Sequence, residues 1–233
     1  MEEKKWNKWR SRLSRGYRWE YQPGQKEKRK GRANGGILVE MRRELIKGSQ
    51  EVYHVKGAIG TKITMENDKW IVWTIYNREK LAELLKQIEI IQEEERNTKM
   101  LLGGDFNART GEKGGIYEGK DKKKSSKDKI CDREGKDLLE VVENNGWHNL
   151  NGNVEGDEKG EYTFIRSTGQ SVIDYTIVDT EELDKVREFI VKEGVESDHM
   201  PVYCKLEYKI PRGRRRSTNK MVGKMERRKH KEI

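Results

Sequence analysis

Between Asn77 and Arg96 the apolar residues Leu81, Leu84, Leu85, Ile88 and Ile91 recur at helical spacing, which predicts an amphipathic helix with Asn77 as its N-cap. A second helix is predicted over Glu134 to Asn145, where Leu138, Leu139 and Val142 share one face and Gly146 follows as a C′ residue. Elsewhere the apolar runs are short. Ile37 to Met41, Val52 to Ile59 and Lys69 to Tyr76 read as strands, the last rich in aromatic and β-branched residues, and Asn34-Gly35-Gly36 supplies a turn before the first. Lys99 to Leu102 reads as a short strand that ends at a Gly103-Gly104 turn.

Tyr162 to Ile165, Ser171 to Val178 and Val186 to Val191 continue the strand pattern, with Ser167-Thr168-Gly169 turning between the first two. In Pro201 to Tyr208, Val202, Cys204, Leu206 and Tyr208 alternate with Tyr203, Lys205 and Glu207, giving one buried and one exposed face. Residues 1–32 are polar. Trp6, Trp9, Leu13 and Tyr17 are spaced for a short amphipathic helix, and Gln22-Pro23-Gly24 with Lys26 to Lys30 reads as a solvated loop. The Gly- and Lys-rich stretch from Arg109 to Lys129 reads as a mobile loop. Many short strands with two helices between them predict a mixed α/β fold with packed sheets rather than a doubly wound nucleotide fold.

Charge divides this chain into three parts. Of the 233 residues, 1–32 carry a net charge of +8 and 209–233 a net of +9, which leaves the segment between them at −8. A length of 233 residues suits one sizeable core, so the expected organisation is a basic N-terminal arm (1–32), one domain (33–208) and a basic disordered tail (209–233). Basic arms attract polyanions, while an acidic body can hold carboxylates for a cation. Cys131 and Cys204 stand far apart without a CxxC spacing, which excludes a disulfide framework and a zinc ribbon. No apolar run approaches a membrane span and the first residues lack a signal peptide's apolar stretch, so an intracellular protein, cytoplasmic or nuclear, is expected.

Three fragments carry chemistry. Gly103-Gly104-Asp105-Phe106-Asn107 follows an apolar run, and in an extended chain Asp105 and Asn107 face one side while Phe106 faces the core. An ionised Asp holds a water or a metal, and an Asn amide donates to a phosphate oxygen without adding charge. Ile173-Asp174-Tyr175 and Ser197-Asp198-His199 follow later. His199 needs a carboxylate other than adjacent Asp198 to hold it, and Asp174 is the candidate. Read alone, the Asp105–Asn107 stretch is also readable as an Asp/Asn turn after a strand, and Ser197-Asp198-His199 as a polar turn before the strand at Pro201.

Together, in this order, the three fragments resemble the endonuclease/exonuclease/phosphatase superfamily, whose late motifs are GDFN after a strand, an IDY-like strand and a terminal SDH. The nearest likeness is to the endonuclease-type domains of non-LTR retrotransposons and insect proteins derived from them. Gly31 to Gly36, Ile75-Tyr76 and Asn149-Leu150-Asn151-Gly152 add to it. The resemblance implies a four-layer α/β sandwich of two packed mixed sheets flanked by helices. It implies that Asp105 orients or activates the attacking water, that Asn107 and Tyr76 contact the scissile phosphate, and that His199 faces the phosphate while held by Asp174. Asp198 and Asp105 would lie at a Mg²⁺ or Mn²⁺ ion.

The family pattern opens with an Asn-bearing strand and a strand ending in a metal-binding Glu, and this sequence contains neither. Its first residues resemble the stretch just after that Glu, so the first strands of the fold are expected to be missing and metal binding to be weakened. Two functional readings follow. One is a metal-dependent phosphodiester hydrolase resembling a retrotransposon DNA endonuclease. The other is a non-catalytic nucleic-acid-binding remnant, with Arg212, Arg214, Arg215 and Arg216 among its phosphate contacts. DNA or another nucleic acid is the expected partner in both.

Overall fold

The computed structural model describes residues 3–24, 35–45, 51–65, 68–78, 80–116, 123–194 and 196–208. The predicted turn residue Asn34, the lysines 26–30, and the basic tail with Arg212, Arg214, Arg215 and Arg216 lie outside these residues. In chain order the elements are α1 (Glu3–Arg10), β1 (Tyr17–Gln22), β2 (Ile37–Arg42), β3 (Val52–Val55), β4 (Ala58–Met65), β5 (Asp68–Tyr76), α2 (Leu81–Glu94), β6 (Thr98–Asp105), α3 (Arg133–Asn144), β7 (Trp147–Asn149), β8 (Phe164–Arg166), β9 (Gly169–Ser171), β10 (Asp174–Asp179), β11 (Val186–Val191) and β12 (Val202–Leu206).

A six-stranded sheet in the order β3-β4-β5-β6-β10-β7 forms the centre, with β5 and β6 parallel and the other pairs antiparallel. Alternation decides which residues face which side. Ile71, Trp73 and Ile75 of β5, Met100 and Leu102 of β6 and Ile177 of β10 form one core with Leu81, Leu84, Leu85 and Ile88 of α2 and Leu138 and Val142 of α3. Each such side chain contributes about 1.5–3 kcal/mol when fully buried. The alternate positions Leu101 and Val178 face a second core with Phe189, Val191, Val202 and Cys204 of β11 and β12. The β1–β2 pair lies over β4 and β5. The fold is thus mixed α/β as expected, and among the described residues the second sheet consists of separate two-stranded pairs.

Several expectations are corrected. The Trp6–Tyr17 stripe is not one helix: α1 stops at Arg10, Trp6 stacks on Tyr21 at 4.2 Å, Trp9 is exposed, and Tyr17 opens β1. Val52 to Ile59 is a hairpin, because Gly57 adopts φ 85° and donates its N–H to Gln22 Oε1. Asn77 does not cap α2. Its N–H donates to Asp105 O (2.8 Å) and its amide to Phe106 O (3.0 Å), and α2 starts at Leu81 behind Lys80. The second helix is as predicted, with Asp132 capping Gly135 N (2.7 Å) and Gly146 at φ 63° after it.

Gly103-Gly104 is not a turn but part of β6. A methyl group on Gly104, at φ 137°, would stand 2.0 Å from Ile75 O of the parallel neighbour, so only glycine lets the two strands approach there. The described parts of 109–129 are packed rather than mobile. Thr110, Lys124, Ser126 and Asp128 are buried, and Arg109 holds the Asp128 carboxylate through both Nε (2.7 Å) and Nη2 (2.6 Å). Ser171 to Val178 is two strands, since the N–H groups between them are taken by side chains: Val172 by Asp128 Oδ2, and Ile173 and Asp174 by Thr163 Oγ1.

Candidate active site

Strand register brings the candidate residues together before any loop is considered. Asp105, the last residue of β6, pairs with Tyr76 of parallel β5 on one side and with Asp174 of antiparallel β10 on the other. Residues directly opposite in a sheet project to the same face. Tyr76, Asp105 and Asp174 therefore make a row across three strands, on the face away from α2 and α3.

His199 is supplied by the segment before β12. Its Nδ1 lies 3.0 Å from Asp174 Oδ2 and 3.1 Å from Oδ1, and its Nε2 lies 4.0 Å from Asp105 Oδ2. An ionised carboxylate only accepts, so Nδ1 carries the proton and Nε2 is left on the side of Asp105. Phe164 packs its ring against the imidazole at 4.9 Å. The backbone reinforces this, because Ile165 N donates to Asp198 O and Met200 N to Thr163 O.

The ligand atoms of Asp105, Asp174 and His199 all lie within 4.8 Å of one another. Burial pushes the Asp105 carboxyl up to about 6, nearby Asp174 adds to the rise, and the Asn107 N–H and His199 oppose it. Burial also raises Asp174, against the pull of His199 and Thr163. Two carboxylates raised in this way, side by side at the end of a sheet, form a site short of positive charge. Oxygen donors of this kind suit Mg²⁺ or Mn²⁺, so the residues present fit a divalent cation.

The other expected residues are placed differently. Asn107 adopts φ 47°, and its amide donates to Asn77 O and to Asp105 Oδ2 (3.3 Å). Its backbone N–H meets Asp105 Oδ1 at 2.9 Å. The amide expected to face a phosphate is therefore turned onto the site's own scaffold. Asp198 stands outside the cluster, its carboxylate 2.7 Å from Arg166 Nε and exposed. Tyr76 stays in the row, half-buried against Gly35.

Two positioning residues escaped the sequence reading. Thr163, fully buried, accepts the N–H groups of both Ile173 and Asp174 at 3.0 Å. Asn151, also fully buried, donates to Asp174 O (3.0 Å) and accepts from Thr176 N (3.2 Å). Thr163 gave no signal because it sat within a stretch read as strand. Asn151 lies in Asn149-Leu150-Asn151-Gly152, where no neighbouring residue marks its role.

This architecture recurs among solved structures. It is similar to the endonuclease domain of TRAS1, a telomere-specific non-LTR retrotransposon (21% identity, TM-score 0.55, covering 83% of this chain and 81% of that one). It is also similar to the 3′ phosphatase NExo from Neisseria bound to product DNA hairpin (14% identity, TM-score 0.58, 89% and 85% covered). AP endonuclease LMAP from Leishmania major is alike in the same way (13% identity, TM-score 0.57, 84% and 72% covered). The chain belongs to the endonuclease-reverse transcriptase family, whose sequence pattern matches residues 70–203. A comparison with curated proteins finds no match. No described helix is long and apolar enough to cross a membrane.

Proposed function

We propose that this protein is a divalent-metal-dependent phosphodiesterase acting on nucleic acid, and specifically a DNA endonuclease. The observation that carries the reading is the convergence of Asp105, Asp174 and His199 from β6, β10 and the segment before β12. The family membership and the TRAS1 endonuclease fold support it, as does Neisseria NExo with its DNA hairpin.

Asp105 and Asp174 would hold the cation, which when bound supplies Lewis-acid polarisation of a phosphoryl oxygen. Asp105 also orients the attacking water. Asp174 fixes the tautomer of His199, so that Nε2 faces the scissile phosphate. Tyr76 flanks that phosphate on the β5 side, while Asn107 holds the Asp105 carboxylate through its backbone N–H and its amide. Asp198, held by Arg166, is assigned no step.

The test is nicking of supercoiled plasmid in Mg²⁺ or Mn²⁺ against the same reaction in EDTA. Metal-dependent nicking that disappears in Asp105→Ala, Asp174→Ala and His199→Ala is the expected result. A second reading, a non-catalytic nucleic-acid binder, is favoured by the net charge of +9 concentrated in residues 209–233. Under it, Asp105→Ala changes nothing and removal of that tail abolishes binding.

A further inference from the structure

His199 is carried by the link between β11 and β12, in which residues 196–198 are exposed. The imidazole is itself half-exposed, and among the described side chains its ring nitrogens hydrogen-bond to Asp174 alone. An imidazole tethered at one nitrogen still swings about that bond. Holding Nε2 on the side of Asp105 takes a second support.

The β8–β9 hairpin supplies it. Phe164 and His199 stand opposite each other as an antiparallel bridge, flanked by Ile165 N–H to Asp198 O (2.8 Å) and Met200 N–H to Thr163 O (2.7 Å). Residues 198–200 therefore run beside β8. The Phe164 ring meets the imidazole edge-on, with 4.9 Å between centroids and 64° between planes. Behind it, the guanidinium carbon of Arg166 lies over the Phe164 ring at 5.1 Å, while Arg166 Nε donates to Asp198 Oδ2 at 2.7 Å.

These contacts close a circuit from Arg166 to Phe164, from Phe164 to His199, along the chain to Asp198 and back to Arg166. A guanidinium is suited to the junction, because it lays its flat face on a ring while an N–H at its edge meets a carboxylate. The ion pair is exposed on both sides, and such a pair contributes little by itself. What it holds matters more, since both ends are tied to His199, one through a ring and the other through a peptide bond. This also accounts for Asp198, which adjoins His199 in sequence yet contributes no ligand atom to the Asp105, Asp174 and His199 cluster.

We infer that Arg166 is a positioning residue for His199, acting on the ring through Phe164 and on the backbone through Asp198. Its effect on rate rests on the hydrolase reading. Its effect on the resting imidazole does not.

Long-range proton–nitrogen correlation NMR on the isotope-labelled full chain, in EDTA at one fixed pH, reads the His199 ring, whose signals are assigned by their loss in His199→Gln. The wild type shows the Nδ1–H tautomer. In Arg166→Ala, and likewise in Asp198→Asn, the tautomer ratio moves toward that of free imidazole by about two- to tenfold, the reach of one such ring contact. Arg187→Ala, which breaks the similarly exposed Arg187–Glu207 pair, leaves the ring signals in place. Because Arg166 and Asp198 are exposed, all variants keep the wild-type melting temperature.

Plasmid nicking in Mg²⁺ gives the second readout. Arg166→Ala lowers kcat about three- to tenfold at unchanged KM, and the Arg166→Ala/Asp198→Asn double variant is no slower than Arg166→Ala, since both act through one contact. Unmoved ring signals in both single variants overturn the inference. So do a raised KM at unchanged kcat, and losses that multiply in the double variant. A wild type that nicks plasmid while the ring signals stay put in both variants removes the positioning role and keeps the hydrolase. Ring signals that move in the variants of a wild type that never nicks remove the hydrolase and keep the positioning role.

Discussion

His199 Nδ1 sits 3.0 Å from Asp174 Oδ2, across 25 residues of sequence, and the carboxylate that makes this contact is half-buried at the start of β10. The imidazole is thereby fixed in one tautomer with Nε2 toward Asp105. Asp174→Asn keeps the size of the side chain but removes that control, and His199→Ala removes the imidazole. Each is expected to lower the plasmid-nicking rate by about 100- to 10,000-fold while leaving circular dichroism unchanged.

Asp105 should trade stability for chemistry. Its folded pKa of about 6 stands above the ordinary 3.8, so the folded state holds its proton more tightly than the unfolded chain. Its contribution to stability is fully present below about pH 3.8 and is lost as pH rises through about 6. Asp105→Asn removes this cost. In metal-free buffer at neutral pH its thermal midpoint should exceed wild type, by on the order of 2 kcal/mol of stability, and the difference should close at pH 4. Nicking is lost in the same variant. A midpoint below wild type at pH 7 would show that burial of the Asp105 charge is not what the fold resists.

Thr163→Val leaves the N–H groups of Ile173 and Asp174 without their acceptor inside the protein. The expected cost is about 1–3 kcal/mol, read by urea denaturation. Because the same two bonds hold the start of β10, the nicking rate should fall as well. Thr163→Ser, which keeps the hydroxyl, should recover both. Rescue of stability without rescue of rate would separate the two effects.

Gly104→Ala should prevent native folding. A methyl group 2.0 Å from Ile75 O cannot be accommodated without parting β5 from β6, and the positive φ adds further strain. Loss of soluble protein, or of the cooperative melt, is the measurement. Gly103→Ala is the control, since the nearest atom there is 4.0 Å away.

How much of this was legible beforehand depends on the range of the forces involved. Both helices could be read because Leu81, Leu84, Leu85 and Ile88, and likewise Leu138 and Val142, write their buried face into local spacing. The strand breaks could not. Val172 and Ile173 leave the ladder because Asp128 and Thr163, distant in sequence, claim their N–H groups. Asn77 carries the composition of a helix cap but is drawn to Asp105 and Phe106. The Asp174–His199 pair was expected because neighbouring strand residues diverge, which left Asp198 facing elsewhere, toward Arg166. Thr163 and Asn151 act through backbone groups, and nothing in their neighbours announces that.

The pairing of Asp105 with Asp174 has a consequence for how this protein can fail. A slip of β10 by one residue along β6 would separate the two carboxylates and also exchange Ile177 for Val178 in the core beneath α2. Misregistered molecules would therefore forfeit the packed interior and the reactive cluster at once. Well-packed chains without the assembled cluster cannot build up by this route, so a preparation that melts cooperatively is one in which Asp105 and Asp174 stand side by side.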